Sequence, residues 1–88
     1  MIFITLCRFR KKPSKEMLAE VGKLMAKATE KGSKYLSVYW TLGRYDIVAT
    51  FEAPSEKAAM GCALSFSEFL STETMVAVPN EEAMKLVE

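Results

Sequence analysis

KYLSVYWTLGRYDIVATFE, Lys34 to Glu52, is the stretch on which the fold turns. Two runs rich in aromatic and β-branched residues flank Gly43-Arg44, and such runs read as strands. A tight turn between them needs a positive φ, which glycine adopts without strain, so Gly43 marks a hairpin tip. With that tip, Leu42 lies opposite Tyr45, Thr41 opposite Asp46, Trp40 opposite Ile47 and Val38 opposite Ala49. Period-two alternation then puts Leu36, Val38, Trp40, Ile47, Ala49 and Phe51 on one side. Tyr35, Ser37, Tyr39, Thr41, Asp46, Val48, Thr50 and Glu52 fall on the other. The first set is the better core, and helices are expected over it. Tyr45 is expected on the helix side as an amphipathic plug with its hydroxyl at the end of the domain.

Working outward, MIFITLCRF reads as a first strand with neither face fully polar, as in the middle of a sheet. After RKKP, Ser14 is a natural N-cap with Glu16 in the first turn. Met17, Leu18, Val21, Leu24, Met25 and Ala28 form one helical stripe, and Gly32 is the left-handed stop. Beyond the hairpin, Pro54 cannot extend a central strand, and Ser55 caps a second helix. Its stripe is Ala59, Cys62, Ala63, Phe66, Phe69 and Leu70. Gly61 inside it costs about 1 kcal/mol against alanine, which points to a close approach of a neighbouring element. TETMVAV reads as the fourth strand, and Asn80 as the cap of a short tail helix.

The order β-α-β-β-α-β, with right-handed crossovers, is the ferredoxin-like α+β arrangement. It predicts a four-stranded antiparallel sheet in order 4-1-3-2, two helices on one face and a short C-terminal helix, all in one domain spanning 1–88.

Composition narrows the partners. Twelve Lys and Arg against eleven Asp and Glu leave a net charge of +1, which gives little reason to expect nucleic acid or an anionic membrane. The basic run Arg8, Arg10, Lys11, Lys12 and Lys15 reads as a solvated loop and strand end, with an anion contact as the alternative. An RNA-binding sheet of this topology needs a Lys/Arg-Gly-aromatic pattern that YDIVATFE lacks. The longest mostly apolar run, AAMGCALSF, is about half of what a spanning helix needs, and MIFITL lacks the basic segment of a secretory signal. Cys7 and Cys62 have neither metal-ligand nor redox spacing and read as free thiols of a cytoplasmic protein. The chain has no histidine, which removes the usual haem ligand and the commonest general base. No cofactor or metal is expected.

The sheet face away from the helices is amphipathic, and the edge strand from Tyr35 to Trp40 has no proline or charge to discourage pairing. A second copy answers both problems through a two-fold interface. Two facing sheets would enclose a space lined by Tyr39, Thr41, Asp46, Val48 and Thr50, the place for a small ligand. Asp46 either accepts turn N–H groups or Thr41, or serves a ligand as a carboxylate. Arg44 is either solvated or pairs with a partner subunit or an anionic ligand.

The block YWTLGRYDIVATFEAPS, with Gly43-Arg44-Tyr45-Asp46 and Glu52-Ala53-Pro54-Ser55, resembles the GYD domain family, as does Thr72-Glu73-Thr74 before the last strand. The hairpin is also similar to the effector domain of leucine-responsive-type regulators. The resemblance implies a dimeric α/β barrel and no assigned activity; the regulator-like relatives bind amino acids between subunits. Two functions follow as expectations: a self-associating module that binds a small molecule at its subunit interface, or a cofactor-free oxygenase or isomerase in which Asp46, Glu52 and tyrosines move protons.

Overall fold

In the computed structural model, which describes residues 1–87, four antiparallel strands form one sheet in the order β2-β3-β1-β4. This is the predicted 4-1-3-2 order read from the other edge. The strands are β1 (Ile2–Phe9), β2 (Lys34–Trp40), β3 (Ile47–Glu52) and β4 (Leu70–Ala77). The helices α1 (Lys15–Glu30) and α2 (Glu56–Ser65) cross between them, and α3 (Asn80–Met84) with a 3-10 turn at Lys85–Val87 follows β4.

The capping chemistry sets both long helices. Ser14 Oγ accepts the Met17 N–H at 3.1 Å, and Ser55 Oγ accepts the Ala58 N–H at 3.1 Å, so each helix begins with an orphan donor satisfied. α1 ends as its sequence demands, with Gly32 at φ +104°.

α1 and α2 cover the face carrying Phe3, Cys7, Ile47, Ala49, Phe51 and Leu70, all buried. The core has two centres. Phe3 stacks on Phe51 at 5.4 Å beside Ala53 and Ala59, while Cys7, Ile47, Phe66 and Leu70 pack together at the other end of the strands. Between the centres, Ala49, Ala63 and Cys62 are short, and a void of about 70 Å³ remains, also lined by Val21, Met25 and Tyr35. Burial pushes the Cys7 thiol above its ordinary range, against a hydrogen bond from Thr5, and both cysteines are free.

Several local expectations need correction. A β-bulge falls between Tyr35 and Ser37, so Tyr35 sits opposite Phe51 and Ser37 opposite Thr50. Tyr35 therefore belongs to the helix side, its ring 5.8 Å from Phe51, and Leu36 is left exposed rather than in the core. One extra residue reverses the faces of everything before it in the strand. α2 stops at Ser65, with Phe69 in a turn, and Leu70 is the first residue of β4, opposite Phe9. Gly61 approaches nothing: a Cβ there meets open space. Asn80 is the first helical residue of α3, preceded by Pro79, and makes no cap bond.

Candidate functional site

The face away from α1 and α2 is open. Its rows follow from register: Tyr39, Val48, Leu6 and Glu73 lie across the four strands, and Ser37, Thr50, Ile4 and Met75 form the next row. Ile2 and Ala77 continue the apolar column towards one end. Of the ligand-site residues expected from sequence, Tyr39, Val48 and Thr50 do share this surface. Tyr39 is 66 % exposed, and the hydroxyls of Thr50 and Ser37 bond each other at 2.6 Å.

Thr41 and Asp46 lie at the hairpin end of the same face, each already engaged. The Thr41 N–H donates to the Asp46 carbonyl at 2.8 Å, and Thr41 Oγ1 donates to the Tyr45 carbonyl at 2.7 Å. The Asp46 N–H donates to the Cys7 carbonyl, and the Asp46 carboxylate accepts the Phe9 N–H at 2.8 Å. Beyond the Cys7–Ile47 pair the backbone ladder of β1 and β3 ends, and this carboxylate serves as the acceptor that the next strand residue would have supplied. The Asp46 carboxylate thus serves the backbone, but its donor is the Phe9 N–H of β1, not the turn N–H or Thr41 that the sequence suggested.

Gly43 turns the hairpin at φ +101°. Arg44 lies over the Tyr45 ring, 5.6 Å from guanidinium carbon to centroid, within cation–π range. Glu73 is the first cause of a Tyr45 phenol pKa raised above the ordinary value, followed by desolvation; Arg44 and Arg8 pull the other way. The influence of Glu73 and Arg8 sets Tyr45 towards the open face rather than as a plug on the helix side. Glu73 stands opposite Leu6 and so belongs to the open face.

Sequence reasoning did not single out Glu73 and Arg8 for this place. The signal was available in the alternation of TETMVAV: a glutamate where the apolar row continues is a charge that needs a partner. Arg44 and Tyr45 sit at the hairpin turn, while Arg8 on β1, opposite Ser71, and Glu73 on β4, opposite Leu6, bring charges of both signs to that end of the sheet. None of the predicted ligand residues lines the void under the helices, and among the described residues no group of three or more acidic, cysteine or histidine side chains is placed to hold a metal.

A family model described as the GYD domain matches residues 3–87. The chain belongs to the GYD domain family. A comparison of this GYD domain with curated proteins gives no match. Solved structures share its fold. A hypothetical protein, PHS023, from Pyrococcus horikoshii superposes with a TM-score of 0.57 at 18 % identity, covering 93 % of this chain and 95 % of that one. The 5-chloro-2-hydroxyhydroquinone dehydrochlorinase of Burkholderia phenoliruptrix gives 0.55 at 14 % identity, over 93 % and 98 %. FFRP-DM1 gives 0.53 at 18 % identity, over 89 % and 100 %. At these identities the likeness carries the fold and nothing of the chemistry. Among the described residues of the GYD domain, no helix is long and apolar enough to cross a membrane.

Proposed function

We propose that this GYD domain works as a homodimer, or a larger homo-oligomer, whose open sheet faces meet and hold a small molecule between them. The observation that carries the reading is the open face itself. Ile2, Ile4, Leu6, Val48 and Met75 form a continuous apolar surface in the middle of the sheet. A two-layer domain leaves such a surface to a partner, and a two-fold axis lets one patch cover its own copy.

Tyr39, Thr41, Val48 and Thr50 would line the enclosed space, with Asp46 holding its end in shape and Arg44 at its mouth. Since Thr41, Asp46 and Thr50 are engaged within the chain, the groups left to orient a guest are the Tyr39 hydroxyl, Arg44 and Arg8, and the Glu73 carboxylate. Cations and a carboxylate at one end of the same face suit a small zwitterion or organic acid, such as an amino acid.

Light scattering and a thermal-shift panel of amino acids and organic acids test the two parts. A dimer mass with a ligand at about a hundred times its Kd adds about 2.7 kcal/mol of stability, lost in Arg44→Ala while the dimer persists. A folded monomer at working concentration overturns the assembly; a dimer that answers to nothing in the panel overturns the ligand.

A further inference from the structure

The segment after β4 touches its own domain only at its start, where Glu82 lines a shallow cleft with Met1 and Ile2, and its larger apolar side chains stay uncovered. Met84, Leu86 and Val87 are 62 %, 81 % and 86 % exposed, and Val78 is exposed as well. The molecule measures 49 × 31 × 17 Å, whereas an eight-residue strand spans only about 26 Å. An apolar arm held off the body in this way needs another surface.

The arm and its match sit at opposite ends of the sheet. It leaves from Ala77, beside Ile2. At the far end, on either side of Phe9, lies the exposed basic run of Arg8, Arg10, Lys11 and Lys12. At that same end Trp40 packs on Phe9 at 5.1 Å yet stays 58 % exposed, and Leu42 is fully exposed. The arm carries Glu81 and Glu82 in the first turn of α3 and its apolar residues after them. Acid followed by apolar on one side faces basic beside apolar on the other.

We propose that the Val78–Val87 arm docks on a second copy of this chain, at the hairpin end of the partner's sheet. Glu81 and Glu82 meet the partner's basic run, and Met84 and Leu86 cover the partner's Trp40 and Leu42. This rests on the face-to-face pairing proposed above and specifies it: the two-fold axis runs across the strands, so that the Ile2 end of one sheet abuts the Phe9 end of the other. Each copy contributes one arm and receives one, which closes the assembly at two.

Trp40 is the sole tryptophan, so its emission reports the docking directly. The experiment compares the full chain with Glu81→Lys/Glu82→Lys and with Met84→Asp/Leu86→Asp, by sedimentation equilibrium at low salt and by tryptophan emission. Both variants change exposed side chains and leave the core untouched. Each is expected to raise the dimer dissociation constant at least tenfold and to shift Trp40 emission to the red. Adding Lys11→Glu/Lys12→Glu to the first variant is expected to restore both. A wild-type dimer whose dissociation constant and emission are unmoved by either variant, or whose loss the added glutamates do not reverse, overturns the arm while leaving the face-to-face dimer standing. A wild-type monomer overturns both.

Discussion

The Asp46 carboxylate accepts the Phe9 N–H at 2.8 Å and so replaces a rung of the β1–β3 ladder with a side chain. A half-buried amide left without an acceptor costs about 1–3 kcal/mol. Asp46→Ala is expected to lose that much by urea unfolding. Asp46→Asn keeps an acceptor oxygen and is expected to lose less than half as much. Equal losses in the two variants would show that the charge, not the acceptor, matters there.

Two glycines make opposite predictions. Gly43 holds φ at +101°, where a Cβ is strained even though no neighbour is close. Gly43→Ala is expected to destabilise by about 1–2 kcal/mol. Gly61 has ordinary helical geometry within α2 and open space around it. Gly61→Ala is expected to stabilise by about 1 kcal/mol, seen as a higher denaturation midpoint with an unchanged slope.

Alkaline pH should weaken the fold through two phenols. Burial pushes Tyr35 up to about 12, with smaller contributions from the nearby Cys62 and Cys7, and the Glu73 acceptor raises Tyr45. Both pKa values are higher folded than unfolded, so the folded state holds the proton longer. The stability this contributes is complete below the unfolded value near 10 and disappears as pH climbs through the folded values, about 12 for Tyr35. Phenolate absorbance followed against pH should resolve a late-titrating tyrosine that Tyr35→Phe removes, together with a shallower fall of stability above pH 10.

The void between the two core centres should accept a methyl group or two. Ala49 is buried in the middle strand β3 and lines it. Ala49→Val fills part of the space and suits the strand, and a gain of about 0.5–1 kcal/mol is expected. Phe51→Ala, which removes a packed ring, should cost about 3–5 kcal/mol. A loss in Ala49→Val would mean that the lining is too rigid to admit the extra carbons.

Much of the architecture was legible because its signals are local. Ser14 and Ser55 cap within one turn of where they stand, Gly32 and Gly43 mark the two places among the described residues where the backbone enters positive φ, and Val38, Trp40, Ile47 and Ala49 alternate as a hairpin must. The bulge at Leu36 had no such signal, since one unpaired residue leaves composition and periodicity almost unchanged. The end of α2 was obscured because Phe66, Phe69 and Leu70 keep helical spacing, yet Leu70 gains more by pairing with Phe9 and entering the core.

Strand order, the two long helices and one uncovered, amphipathic sheet face can all be read along the chain, because caps, turns and hydrophobic periods act over a few residues. What the GYD turn does emerges once the sheet is assembled. Asp46 is spent on Phe9, and Glu73 raises the Tyr45 phenol pKa, because residues far apart along the chain become neighbours when β1, β3 and β4 pair. A carboxylate's role depends on the donors that the fold sets beside it, and those donors lie beyond any local window of sequence.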